Sequence, residues 1–219
     1  MIRTVIFDMD GVIVDTEPLH KFAYYAHFDE LGIVVSDEMY ATFTGNSTRN
    51  VFQKLKSTFA IEAEVEDLIQ RKRTIFNDAF DTSEILCLLP GVKDLIVDLN
   101  QNDMQLILAS SASKGTIARV FNRFELTRYF SHIVSGEDFP KSKPDPAIFI
   151  HAARLSGDGF DECVVIEDST NGVKAAKAAG LACIGYKSEH TKFQDISDAD
   201  WIISSFDELN AGLIKNFKA

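Results

Sequence analysis

The sequence predicts an α/β fold: a doubly wound, Rossmann-like, mostly parallel sheet core that carries an inserted small helical cap domain. Three observations predict it. Short apolar runs without alternation recur along the chain and end abruptly in polar residues, as strands buried on both faces do. Helical periodicity lies between the later runs, which is the alternation of βαβ units. One long stretch near the N-terminus has helical periodicity and no clear strand pattern, which marks an insert.

The elements follow in order. Residues 4–7 (TVIF) form the first run and lead into Asp8. Residues 105–109 (QLILA) lead into Ser110 and Ser111, residues 132–134 (HIV) into SGED, and residues 163–166 (CVVI) into Glu167 and Asp168. Residues 181–184 and 201–203 are the last two runs. Apolar residues at helical spacing fill 92–100, 114–124 and 147–155. Residues 172–179 read as a short Ala-rich helix with Gly180 as its C-cap. From 15 to 83 the segments FAYYAHFDELGI, NVFQKLKSTF and VEDLIQRKRTIFNDAF all read as amphipathic helices. The predicted division is therefore a core of residues 1–14 and 84–219, with a helical cap of residues 15–83 that closes over the sheet. Hinges are expected at 14–16 and 82–89.

Composition narrows the function. The chain has 219 residues, 46% of them apolar, and a formal net charge of -11. Nucleic acid and anionic membrane both require a basic footprint, so neither is an expected partner. Cys87, Cys163 and Cys183 are odd in number and sit in apolar surroundings, which predicts buried thiols in a reducing compartment. Acidic residues at 8, 10 and 15 interrupt any leader-like apolar segment, and no run reaches membrane-spanning length. A cytoplasmic monomer is expected.

In open α/β sheets, ligands bind beyond the carboxyl ends of the strands. The sharpest polar residues fall there: Asp8 and Asp10 after the first run, Ser110 after the second, Glu167 with Asp168 after the fourth. Lys143 precedes Pro144-Asp145-Pro146 in a loop. Carboxylates gathered at one edge repel unless they share a divalent cation, and Mg²⁺ prefers hard oxygen ligands and phosphate oxygens. A lone Asp after a strand is more often a turn or helix-capping residue; the combination weakens that reading.

The same residues carry a resemblance. Asp8-Met9-Asp10-Gly11-Val12 after an apolar strand resembles the first signature of the haloacid dehalogenase superfamily. Ser110 after LILA resembles the second, Lys143 in SKPDP the third, and Glu167-Asp168-Ser169 with Asn171-Gly172 the fourth. The helical insert is similar to the small cap of the β-phosphoglucomutase-like branch, whose phosphatases and mutases act on small phosphorylated metabolites. The resemblance implies an enzyme in which Asp8 attacks phosphorus and forms an aspartyl-phosphate. Asp10 would act as general acid and base and lend its main-chain carbonyl to Mg²⁺. Asp8 and Asp168 would hold the metal, with Glu167 a direct ligand or one layer behind. Lys143 would neutralise phosphoryl oxygens, and Ser110, with Ser111 as fallback, would donate to one.

Within the insert, Thr16, His20 and Lys72 match positions that the branch uses near substrate. The plainer reading has Thr16 capping a helix, His20 packing on it, and Lys72 on a solvated face of the RKR run. Ser110 has a plainer reading too, as the cap of the helix that follows it. Met9 reads as a spacer pointing into the core, and His27, His132, His151 and His190 as structural or surface residues. The segment 44–49 (TGNSTR) aligns with a mutase phosphate clamp, but Thr48 stands in the arginine's place and Arg49 falls one residue later. Hydrolysis of a small phosphorylated metabolite, a sugar phosphate by preference, is the leading expectation. A phosphomutase with the same nucleophile is the alternative. A metal-free dehalogenase and a catalytically silent phosphate-accepting module rank lower.

Overall fold

Among the described residues, six parallel strands form one sheet: β1 (Thr4–Phe7), β2 (Gln105–Ser110), β3 (His132–Ser135), β4 (Cys163–Glu167), β5 (Ala182–Tyr186) and β6 (Trp201–Ile203), in the order β3-β2-β1-β4-β5-β6. The computed structural model describes residues 1–43, 46–83, 86–188, 191 and 194–218. The chain divides into two compact units, Met1–Asp15 with Cys87–Ala219, and Thr16–Leu86. Thr44 and Gly45 of the clamp-like segment, His190, and the expected boundary residue Glu84 lie outside the described residues.

In the first unit, β1 lies at the centre of the sheet. The chain builds β2 and β3 on one side of it, then returns to build β4, β5 and β6 on the other. Strand order reverses at β1, so the loops after β1 and β4 diverge and leave a crevice at their carboxyl ends. Register explains why the runs are apolar throughout. Ile6 sits level with Ile107 and Val165, and Val165 with Cys183. These side chains form one buried cluster with Phe149 of α7 (Ala147–Ser156) and Val173 of α8 (Thr170–Ala178). The alternate residues Phe7, Leu108 and Ile166 are also fully buried. There the ring of Phe130 meets Phe7 at 5.8 Å and Phe121 of α6 (Lys114–Arg123) at 5.1 Å. Both faces are thus removed from water, which a period-two pattern would not permit. Met9 is fully buried, as its spacer role requires. The helix α5 (Val92–Gln101) packs beside α9 (Ala211–Lys215).

The second unit is helical: α1 (Glu17–Leu31), α2 (Asp37–Ala41), α3 (Thr48–Phe59) and α4 (Val65–Thr82). Tyr24, Phe28, Tyr40, Phe43, Phe52 and Leu55 are its buried centre. Gly32 ends α1 in the left-handed region (φ 65°), and the Ser47 hydroxyl caps α3 by accepting from Asn50 N. No described helix is long and apolar enough to cross a membrane.

Three local expectations are corrected. Cys87 is exposed, because the apolar letters around it belong to a connecting segment and not to a core element. Ser110 does not cap the following helix; Ser113 does, accepting from Thr116 N. Thr16 stands at the N-cap position of α1 without a side-chain capping bond, because its backbone is already helical there (φ -96°, ψ -7°).

Candidate active site

The site is assembled at the carboxyl ends of β1, β2 and β4. Asp8 directly follows β1, and its N–H donates to Ile166 O at 3.0 Å, so the parallel ladder itself aims the residue. The next residues turn back tightly: Ile13 N and Val14 N both donate to Met9 O. Gly11 makes this turn possible with φ 79°, a conformation that side-chain-bearing residues adopt at a cost.

Lys143 ties the strand ends together. Its Nζ donates to Asp8 Oδ1 at 2.6 Å, to Glu167 Oε1 at 2.7 Å and to Ala109 O at 3.2 Å. These partners stand at the ends of three adjacent strands. The ammonium also lies 4.5 Å from the centre of the Phe149 ring. Lys143 is 6% exposed, so it is not a solvated surface lysine. Ser110 closes β2 beside Ala109, is fully buried, and accepts from Ala112 N at 3.0 Å; Ser111 is exposed.

Burial dominates the electrostatics. It raises the pKa of Asp8 to about 7, with Glu167 and Asp10 adding to the rise and Lys143 opposing it. Burial raises Asp168 well above the carboxylate range too, with Glu167 and Asp8 adding repulsion. Burial alone would lower the Lys143 ammonium; Asp8 and Glu167 hold it above its ordinary value instead. One cation therefore faces several carboxylates. Oxygen atoms of Asp8, Glu167 and Asp168 all lie within 4.8 Å of one another. A hard-oxygen donor set, two of its three carboxylates buried, that outnumbers its one ammonium fits Mg²⁺.

The insert residues occupy the helical unit. His20 and Lys72 are brought together: Lys72 Nζ lies 2.6 Å from His20 Nδ1, and His20 stacks on Phe76 with ring centres 4.4 Å apart. The Lys72 ammonium is 4.6 Å from the Tyr24 ring centre and 5.0 Å from that of Phe76. Lys72 is 2% exposed, which overturns the solvated-face reading of the RKR run. Thr16 is buried. Arg49, on the exposed side of α3, forms an ion pair with Glu66 of α4.

One residue of the fourth motif was quoted in the sequence without a role. Ser169 is buried, donates to Glu167 Oε2 and caps α8. The helix expected after it began at residue 172, so nothing local announced either its capping role or its second partner.

Comparison with known proteins agrees with this architecture. Residues 5–186 match the family described as haloacid dehalogenase-like hydrolase. The phosphorylated carbohydrates phosphatase of Thermotoga maritima is 31% identical over 183 residues, 82% of each chain. The crystal structure of CbbY from Rhodobacter sphaeroides in complex with xylulose-(1,5)bisphosphate superposes with a TM-score of 0.86 at 27% identity, covering 95% of this chain and 96% of that one. β-Phosphoglucomutase from Clostridium difficile superposes with a TM-score of 0.84 at 25% identity, covering 98% and 96%. The chain spans only 18% of a longer chloroplastic relative from Arabidopsis thaliana.

Proposed function

This chain belongs to the haloacid dehalogenase-like hydrolases, an enzyme family, and from that membership we propose that it is a Mg²⁺-dependent phosphatase acting on a small phosphorylated carbohydrate through an aspartyl-phosphate on Asp8. The carrying observation is the buried Asp8 carboxylate held 2.6 Å from the Lys143 ammonium within a cluster of further carboxylates. The relatives that act on or bind phosphorylated carbohydrates support the substrate class.

In the first half-reaction an Asp8 oxygen attacks phosphorus, and the bond from phosphorus to the leaving oxygen breaks. Asp10 gives that oxygen a proton, so the free sugar departs as an alcohol. In the second half, a water oxygen attacks the same phosphorus while Asp10 takes the water's proton. The phosphorus–Asp8 bond breaks, releasing inorganic phosphate and restoring the carboxylate. Lys143 lowers the repulsion between the Asp8 anion and the incoming phosphoryl oxygens, and Ser110 donates a hydrogen bond to one of them. Asp8, Asp168 and the main-chain carbonyl of Asp10 would hold Mg²⁺, which supplies charge neutralisation at the phosphoryl group when bound.

A phosphomutase is the second reading, favoured by the part-buried His20–Lys72 pair and by the β-phosphoglucomutase likeness. A mutase must also clamp a second phosphate. The candidate for that clamp, Arg49, falls one residue past the arginine's place, which favours hydrolysis; its exposed ion pair with Glu66 is a weak competitor. The test is a panel of sugar phosphates with Mg²⁺, scored for inorganic phosphate, beside conversion of β-glucose 1-phosphate to glucose 6-phosphate primed with the 1,6-bisphosphate. Hydrolysis is expected to exceed isomerisation. Isomerisation faster than the best hydrolysis by about tenfold would replace the phosphatase by the mutase.

A further inference from the structure

We propose that Ser135 is a positioning residue of the phosphoryl site: it acts through Ala112 to hold the Ser110 hydroxyl with its proton free for a phosphoryl oxygen. Its consequence for turnover rests on the phosphatase reading above, in which Ser110 donates to that oxygen.

The segment SGED follows the third apolar run, at the same edge of the sheet as Ser110. In the register of β2 on β3, Ser135 is level with Ser110, so two adjacent strand ends carry serines side by side. Ser135 is 1% exposed. A hydroxyl has one proton to give and two lone pairs to accept with. Ser135 gives its proton to Ala112 O at 2.7 Å and accepts from Glu137 N at 3.2 Å. Ala112 N in turn donates to Ser110 Oγ at 3.0 Å. Ser110 is fully buried and spends a lone pair inside this loop. Among the described residues, its own proton has no acceptor.

A second contact acts on the same loop. A Cβ on Gly136 would stand 3.0 Å from Ser111 Cα, 3.3 Å from its carbonyl oxygen and 3.4 Å from its carbonyl carbon. That carbonyl shares one planar peptide unit with the Ala112 N–H that reaches Ser110. Ser135 thus ties one side of Ala112, and the backbone of Gly136 lies against the other. Glu137 Oε2 accepts from Lys114 N at 2.9 Å, which fixes the start of α6. The ion pair of Lys114 with Asp138 is exposed and adds little. Without the Ser135 hydroxyl, Ala112 loses its side-chain anchor. Its N–H is then free to swing from Ser110, and the Ser110 proton to turn back to the main chain. The plainer reading has Ser135 only capping the turn Gly136–Asp138 through Glu137 N. That reading gives Ser135 no dependence on Ser110.

The test is a double-mutant cycle in the whole chain: Ser135→Ala, Ser110→Ala and the two together. Ser135→Cys keeps the volume and weakens the donor, so it serves if alanine does not fold. Two quantities are read: kcat/KM with a generic aryl phosphate and Mg²⁺, and hydrogen exchange of the Ala112 amide by NMR without substrate. Ser135→Ala should lower kcat/KM by about tenfold. It should quicken Ala112 exchange by at least about threefold. In the Ser110→Ala background the same substitution should change kcat/KM by less than about twofold, because residues that act as a unit are not additive. Losses that multiply in the double variant overturn the assignment, as does unaltered Ala112 exchange. So does a kcat/KM within about twofold of wild type for Ser135→Ala, or for Ser110→Ala, which would leave Ser135 nothing to act through. If the wild type shows no turnover, the phosphatase reading fails by itself. Ala112 exchange then decides whether Ser135 holds the loop.

Discussion

The Asp168 carboxylate occupies the space that a side chain on Gly11 would need: a Cβ built there would overlap Oδ2. Gly11 also has φ 79°, so two independent constraints exclude a larger residue. Gly11→Ala should push Asp168 away from Asp8 or distort the turn that places Asp10. Turnover is expected to fall by at least about a hundredfold, with Mg²⁺ affinity reduced as well. Kinetics together with calorimetry would check this; a variant within threefold of wild type in both would show that the loop yields freely.

Asp8→Asn should abolish turnover and leave the fold intact, since an amide oxygen can still accept from Lys143 but cannot attack phosphorus as an anion. A loss of about a thousandfold or more is expected, because the covalent route is gone. Circular dichroism would verify folding and a phosphate-release assay the loss. Contaminant-free activity within about tenfold of wild type would remove Asp8 as nucleophile.

Chelation of divalent cations should stop turnover, and added Mg²⁺ should restore it. Asp168→Ala should weaken Mg²⁺ binding more than Glu167→Ala does, because Lys143 and the loop N–H groups compete with the metal for the Glu167 oxygens. Titration calorimetry on both variants measures the ranking. Equal losses would place the two carboxylates on the same footing toward the metal.

Stability should fall with acid through His27. This ring is 3% exposed in the helical unit and, among the described residues, neither nitrogen has a hydrogen-bond partner. Nδ1 lies 3.6 Å from Glu30 Oε2, and the ring meets Phe52 edge to face. Burial lowers its pKa; Glu30 opposes the shift and Arg71 adds to it. The unfolded chain thus takes up a proton at higher pH than the folded one. The stability held by the neutral ring is complete above the ordinary histidine pKa of about 6.5 and is lost as pH falls below it. The loss levels off once the buried ring itself protonates. Unfolding midpoints near pH 7.5 and 5.5 should differ more for wild type than for His27→Leu. An equal difference in both would assign the acid sensitivity elsewhere.

The sequence by itself determined the sheet and the edge on which chemistry is placed. Runs such as TVIF and CVVI are apolar at every position, and only strands covered on both faces need that. Their polar ends then had to meet where strand order reverses, so Asp8, Lys143, Glu167 and Asp168 were legible as one site. These are consequences of period and chain order. Short helices such as α2 and α9, five residues each, span too little chain to show a period and were not anticipated. Tertiary structure decided every question of partner. Lys72 sits in a basic run that reads as solvated, yet α1 and α4 pack so that His20, Tyr24 and Phe76 enclose it. Arg49 falls one residue past the clamp arginine's place, and only the packing of α3 on α4 shows that Glu66 is its partner. Ser169 carries no legible role in the sequence, yet it caps α8 and its proton goes to a glutamate whose other oxygen holds a lysine 24 residues away. A sequence specifies which groups a residue carries. Which donor meets which acceptor is set by distances that exist only once the core has packed.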